Sequence, residues 1–390
     1  MGFRLVSDEI RVSLDPLTDP AALKREWLEL QPRSDHSFFQ SWTWIGCWLR
    51  MLPSSICPLV LRATCGGTVV GLGVFIQHRT LRHGFVASTG LHLHETGRAE
   101  LDQLTIEHNG LLVDRAIAND IIASSVDYLV GLHHFDELHF PGVAGHYLDI
   151  CAKASSHLDV KKTLPLHTVD LVKAADEGYE RLLSNNTRQQ IRRAMRLYGG
   201  ASLSYSVAEN EEQALAFLAD LQRLHQASWT ARGKPGAFAN PVFTAFHTRL
   251  VREAFARDEI EIAKVSSERG LLGYLYNFRK NGHVYSYQSG FHYEQDNRLK
   301  PGLVSHRLAI DHSLRLALDH RLTAGDAVYD FLAGDDRYKR SLGTNCGRLL
   351  WLTLQERRLS FSLERKLRAA KRCALKIWGD PAANRIEAAR

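Results

Sequence analysis

The chain has 390 residues, 45% hydrophobic and 24% charged, with 28 Gly and 11 Pro. This is the composition of a folded globular protein; it excludes a largely disordered or collagen-like chain, and at roughly 100–200 residues per domain it predicts two domains. The net charge of +6 is unevenly placed: from Arg337 onward 14 Lys and Arg stand against four acids, an excess of +10 that leaves −4 for the rest. A basic tail of this kind points to an anionic partner or surface. No positively charged stretch leads into an apolar run near Met1, and the longest apolar stretch, Val69 to Ile76, is far short of the ~20 residues that span a bilayer. A cytoplasmic protein is expected, or one peripheral to the inner membrane face. Cys47, Cys57, Cys65, Cys151, Cys346 and Cys373 form no CxxC pair, so neither a disulfide framework nor a zinc site is predicted.

In chain order, "IRVSLDPL" reads as a strand, and "DPAALKREWLELQ" and "SFFQSWTWIGCWLRML" as helices, the second with its aromatic residues in the core. "CPLVLRATCGGTVVGLGVFIQHRT" reads as a hairpin turning at Gly66 and Gly67. The helix "DRAIANDIIASSVDYLVGL" and the strand "FDELHFPGV" follow. A boundary is placed near Lys161 to Pro165, giving parts over 1–162, 163–358 and 359–390.

The second part repeats the plan. After the strand "HTVDL" come a basic helix, "TRQQIRRAMRLYGG", closed by Gly199 and Gly200, the strand "SLSYSVA", and the helix "NEEQALAFLADLQRLHQASW". A Gly/Pro-rich loop leads to the helix "VFTAFHTRLVREAFAR". Three β runs follow, "EIEIAKVSS", "LLGYLYNFRK" and "HVYSYQSGFHY", turning at "ERG" and "KNG". The helix "GLVSHRLAIDHSLRLALDH", the strand "DAVYDFLA", a short helix over "RYKRSL" and the strand "RLLWLTLQ" complete it. After Phe361 an amphipathic helix carries Arg365, Lys366, Arg368, Arg372 and Lys376, which suits packing on protein or contact with anionic lipid.

Chemistry concentrates in the second part. The third β run passes through a polar loop into a helix whose first turn is Pro301, Gly302, Leu303 and Val304. Unpaired N–H groups and the positive dipole end make such a turn a place for a pyrophosphate, with Asn297, Arg298 and Lys300 as further donors; Pro301 is equally ordinary capping. "LHQASWTARGKPGAFAN" sets His225 and Trp229 four apart on one helix face, with Arg232 and Lys234 in the loop beyond. An aromatic wall and a cation suit a sugar or a carboxylated acceptor, and His225 is a candidate base; the same pair also closes a helix against a core.

The order meander, helix, strand, short Tyr-bearing helix, strand resembles the GNAT acyltransferase fold. "LLSNNTRQQIRRAMR", "LHQASWTARGKPGAFAN", "KPGLVSHRLAIDHSLRLALDH" and "YDFLAGDDRYKRSLGT" resemble in particular the CelD-type (cellulose-biosynthesis-associated) acyltransferases, relatives of the Fem aminoacyl transferases. The resemblance implies an α/β fold of two tandem GNAT-like domains with mixed central sheets. It implies acetyl-CoA or another acyl-CoA as co-substrate, the strand at Tyr287, Gln288 and Ser289 along the pantetheine arm, and no metal. It also implies a sugar or amino-sugar acceptor from polysaccharide or envelope synthesis. Two departures are visible: the glycine-rich loop of ordinary GNAT enzymes is reduced here to "NRLKPG", and the Tyr-to-Gly spacing in "YKRSLG" is one residue longer than in the usual form.

Acyl transfer from a thioester needs an acid for the departing thiolate. Tyr338 is the candidate, its phenol expected to be lowered by the adjacent cations Lys339 and Arg340; a Tyr with its hydroxyl at the surface reads equally well. Lys339 is placed with it as catalytic. Asp335 and Asp336 would activate the acceptor or cap the next helix. Asp330, inside a strand beside Tyr329, must face an open side or find a partner, and it joins the catalytic candidates. Tyr329 and Asp335, with Trp229, Arg232 and Lys234, are assigned to the substrate. "HLHE" (His92, His94, Glu95) and "HHFDELH" lack a matched ligand cluster and predict no metal. A Fem-like transferase using charged tRNA, served by Arg188 to Arg196 and the tail, and a non-catalytic scaffold for a membrane synthase are the alternatives.

Overall fold

The computed structural model of the protein describes residues 9–82, 86–155, 157–319 and 327–359, with Phe361 and Glu364. The basic helix expected after Phe361 lies almost wholly outside the described residues. The first half contains β1 (Arg11–Pro16), α1 (Pro20–Leu30), α2 (Trp42–Met51), β2 (Pro58–Cys65), β3 (Thr68–Arg82), β4 (Val86–Leu93), β5 (Leu112–Val113), α3 (Ala118–Gly131), β6 (Glu137–Val143) and α4 (His146–Ala154). The second contains β7 (Leu158–Asp170), α5 (Leu171–Glu177), α6 (Tyr179–Leu182), α7 (Asn185–Leu197), β8 (Ser204–Val207), α8 (Glu211–Thr230), α9 (Pro241–Ala254), β9 (Ile260–Ser267), β10 (Gly270–Lys280) and β11 (His283–Phe291). It ends with α10 (Pro301–Asp319), β12 (Val328–Ala333), α11 (Arg337–Leu342) and β13 (Asn345–Gln355).

Local chemistry sets many boundaries. Asp19 caps α1 by accepting from the Ala21 and Ala22 amides at 2.9 Å, with Pro20 at the first helical position; Ser184 and Asn210 cap α7 and α8 in the same way. The predicted Gly66–Gly67 turn joins β2 to β3, and Asn281 (φ +49°) with Gly282 (φ +75°) makes the β10–β11 turn, where both residues must enter the left-handed region. The strand β4 ("VASTGLHL") and the helices α4, α5 and α6 are absent from the predicted elements.

The strands form one sheet in the order β1-β2-β3-β4-β6-β13-β7-β12-β11-β10-β9-β8, with β5 on β3. Each half runs an antiparallel meander into one parallel pair, β4 with β6 and β11 with β12. Between them one strand of the second half crosses to the first. β13, last in sequence, pairs with β6 of the first half and with β7, while β7 pairs with β12 of the second. The expected boundary at Lys161–Pro165 falls inside β7.

The largest core crosses the same junction. Phe38 stacks on Phe278 at 4.3 Å between centroids, and Trp44 meets Phe246 edge-on at 4.8 Å, so the "FFQSWTW" segment is buried against β10 and α9 of the other half. At about 150–250 Å² and ~25 cal/mol per Å², each such ring contributes on the order of 5 kcal/mol of transfer free energy. Gly290 on β11 allows α8 to lie close: a Cβ there would sit 2.4 Å from the Leu221 carbonyl oxygen. Gly290→Ala is expected to push α8 off the sheet and cost about 1–3 kcal/mol, read as a lower urea midpoint; an unchanged midpoint would show that the helix moves freely.

Candidate functional site

β11 and β12 pair over three residues only, from His283↔Val328 to Tyr285↔Asp330. Beyond that point they part, because β12 has an irregularity between Asp330 and Ala333, and Leu332 there takes φ +61°, unusual for a branched residue. Gly334 follows at φ +133°, where a Cβ would approach the Lys339 ammonium to 3.2 Å.

The parting opens a cleft of about 610 Å³. Ser286 to Phe291 of β11 form one wall, and Gly302, Leu303 and His306 at the start of α10 another. Tyr338 and Lys339 border it from α11, and His225, Trp229 and Arg232 from the end of α8. Thus Tyr287, Gln288, Ser289, Asn297, Lys300, Gly302, Leu303, His225, Trp229, Arg232, Tyr338 and Lys339, predicted separately, border one space. Among the described residues four cationic side chains, Arg232, Lys300, Arg337 and Lys339, border it against one carboxylate, that of Asp336. An excess of this sign concentrates a polyanion.

The remaining predicted residues, apart from Asp336, lie elsewhere. Arg298 is held by Asp296 at 2.6 Å on the surface, and Val304 is fully buried in the core. Lys234 lies 5.7 Å from the Trp229 ring and Arg232 6.0 Å from it, but only Arg232 borders the cleft. Asp335 is exposed and pairs with Arg340 at 2.6 Å. Asp336 stands at the first position before α11, with no capping bond from its side chain. Tyr329 is fully buried behind His306, its hydroxyl 3.2 Å from Nδ1. Asp330 is buried too, and Oδ1 accepts the Leu332 amide at 2.7 Å, which fixes the bend.

The electrostatics correct one expectation. Burial first, and then nearby acids led by Asp336, push the Tyr338 phenol well above its ordinary value rather than below it. The adjacent cations are engaged elsewhere: Arg340 with Asp335, and Lys339 with the backbone, where Nζ donates to the Leu332 and Ala333 carbonyls at 3.1 and 2.8 Å. Burial also lowers the Lys339 ammonium, against the pull of Glu107, Asp336 and Asp330. Glu107, from the first half, accepts the Ala333 amide, and burial pushes its carboxyl up to about 7. Burial likewise lowers the His225 imidazole, so it is neutral near pH 7.

Sequence reasoning missed His306. Its ring stacks on Tyr338 at 4.9 Å and 11°, burial holds it neutral by pushing its pKa down to about 3, and Nε2 is buried with no hydrogen-bond partner. The available signal was its place one turn into α10, on the face that carries Gly302. Among the described residues no group of three or more His, Cys, Asp or Glu side chains is arranged to hold a metal ion, and no helix is long and apolar enough to cross a membrane.

A family model described as an acetyltransferase (GNAT) domain matches residues 185–340, the stretch that contains the cleft's lining residues apart from Ser341. Among solved structures the chain is similar to FemX, at 11% identity and TM-score 0.57, over 88% of this chain and 97% of that one. It is also similar to the C-terminal domain of a putative lysylphosphatidylglycerol synthetase from Agrobacterium fabrum, at 14% identity and TM-score 0.52, over 92% and 97%. No curated protein matches it. At such identities the two structures speak for the fold alone. Residues 185–340 thus carry the acetyltransferase (GNAT) domain, and the chain that holds them is an acyltransferase built on the GNAT fold.

Proposed function

We propose that the protein transfers an acyl group from an acyl-CoA to an amine or hydroxyl of a sugar or amino-sugar precursor of an extracellular polysaccharide or envelope component, in the manner of the CelD-type enzymes. Residues 1–162 are then the substrate-side half and 163–358 the acyltransferase half. The observation that carries the reading is the single basic cleft bordered by the β11 backbone, the first turn of α10 and Tyr338. In this assignment Tyr287 to Ser289 run along the pantetheine arm, and Asn297, Lys300 and the first turn of α10 take the pyrophosphate. Tyr338 donates a hydrogen bond to the sulfur of the departing thiolate as its charge develops. It is fully protonated at any working pH, since its phenol is raised, and so it always arrives as a donor. His225 and Trp229 border the same cleft.

The test is a thermal shift with acetyl-CoA and longer acyl-CoAs, followed by thiol release in the presence of amino sugars and sugar nucleotides. A shift with at least one acyl-CoA, and thiol release that depends on the acceptor, are the expected results. No shift and no thioester consumption with any of them would sink the reading. The Fem-like alternative draws on Arg193 and Arg196, exposed on α7, whose Gln190 borders the cleft. It predicts instead tRNA binding that weakens steeply with salt.

A further inference from the structure

A second cleft, of about 990 Å³, lies where the two halves meet, bordered by His36, His108 and Asn119 of the first half and by Asn281, His283 and Tyr285 of the second. Its charges are spent: Arg115 pairs with Asp35 at 2.8 Å and Lys280 with Glu259 at 2.7 Å. What it offers is neutral hydrogen-bonding groups and ring faces, His283 lying on Tyr285 at 5.4 Å and 18° and His146 against Tyr147 at 4.9 Å. Such a lining suits a polyhydroxylated molecule, where the basic first cleft suits a polyanion.

Both clefts touch the stretch of β11 where it parts from β12, from opposite faces of the strand. Tyr285, the last residue of β11 paired with β12, borders the second cleft, and Ser286 borders the first. Asp330, paired in register with Tyr285, lies against His108 at ion-pair distance: Oδ2 is 2.9 Å from Nε2, with the carboxylate 1% and the imidazole 19% exposed. With Nε2 beside the carboxylate, Nδ1 is the nitrogen left to take a proton, the arrangement of a carboxylate-oriented histidine base. His108 also has φ +46°, a costly conformation for a side chain of this size and one that recurs at functional positions.

We propose that this second cleft receives the acyl acceptor, a sugar or amino sugar, and that His108, aimed by Asp330, is the base that deprotonates its attacking hydroxyl or amine. The inference rests on the acyl-CoA reading of the first cleft. In the step, the acceptor O–H or N–H bond breaks with its proton passing to His108 Nδ1, and the freed oxygen or nitrogen bonds to the acyl carbon. The C–S bond breaks, and its electron pair leaves on the CoA thiolate. The domain that carries the GNAT match therefore borrows its base from the other half. Asp330 and Glu107, the acids facing His108, raise its imidazole above the ordinary value against the opposing effect of burial. Since the base works only when neutral, the acid limb of kcat/KM should lie above the usual ~6.5 of histidine.

The experiment uses the full chain, acetyl-CoA as donor, and glucosamine and methyl glucoside as probes. His108→Gln is expected to lower thiol release with glucosamine by roughly a hundredfold, to abolish the acid limb, and to leave the acetyl-CoA thermal shift intact. Asn119→Trp, which fills the exposed side of the second cleft, should erase saturation transfer to both sugars in NMR and again leave the acetyl-CoA shift intact. Wild-type turnover in His108→Gln, or no saturation transfer to either sugar in the wild type, would overturn the proposal while leaving the first cleft standing. Absence of any acetyl-CoA shift in the wild type would overturn both.

Discussion

Replacing Tyr338 with Phe is expected to cut acyl-CoA turnover by roughly a hundredfold while the acyl-CoA thermal shift stays within error, the signature of a lost proton donor in an intact binding site. The geometry favours that separation. The Tyr338 ring packs on His306 at 4.9 Å and on Phe331 at 6.0 Å, and Phe keeps both contacts. What it removes is one hydroxyl at the edge of the cleft. Because burial raises the phenol, proton transfer from it to a free thiolate is uphill, and the donor acts by hydrogen-bonding the sulfur as charge develops. Turnover should consequently show no basic limb from Tyr338 below pH 10. Equal activity in Tyr338→Phe and wild type, measured by thiol release at saturating acyl-CoA, would remove Tyr338 from the chemistry and leave His306, whose Nε2 is unpartnered, as the neighbouring group to test.

The largest effect on stability is expected at Lys339. Its ammonium is buried, satisfies the two carbonyls at the β12 bend, and sits among Glu107, Asp330 and Asp336. Lys339→Met leaves those carbonyls and acids without the cation, and breaking a buried charge cluster from one side costs about 3–5 kcal/mol. The sign of the pH dependence follows from Glu107, whose folded pKa is raised to about 7. A carboxyl raised on folding favours the fold while protonated, and that contribution is lost as pH rises through the folded pKa. Lys339 is one of the groups that hold Glu107 down, so without it the loss moves to higher pH and the ionised form becomes costlier. Urea unfolding of Lys339→Met should therefore show a larger deficit at pH 8 than at pH 5. A deficit independent of pH would mean that the lysine acts only through its hydrogen bonds.

These two neighbours illustrate what a sequence can and cannot announce. Residues close in sequence or on one helix face, such as His225 with Trp229 and Lys300 with Gly302, reach the cleft as expected because local periodicity sets where they point. Turns that demand positive φ, at Gly66–Gly67 and Asn281–Gly282, are equally legible. Lys339 points inward because the chain bends at Leu332 and Gly334, and nothing in "FLAGDDRYK" marks Leu332 as left-handed. The strand β4 escapes because "VASTGLHL" is built of small and polar residues with weak β preference, and pairing with β3 and β6 makes it a strand. Glu107 and His108 meet Asp330 and Ala333 through contacts between the halves, for which one sequence carries no signal.

The pairing of β13 with β6 has a consequence for how the protein is made. During synthesis the first half leaves the ribosome with one edge of β6 bare, and that edge stays bare until residues 345–355 arrive. Folding from the N-terminus, the usual order for a chain of two halves, therefore cannot finish here before residues 345–355 have been made. The pairing that closes the sheet is also among the most distant in sequence, which makes it slow as well as late. In that interval the bare β6 edge is a template for strands of other chains.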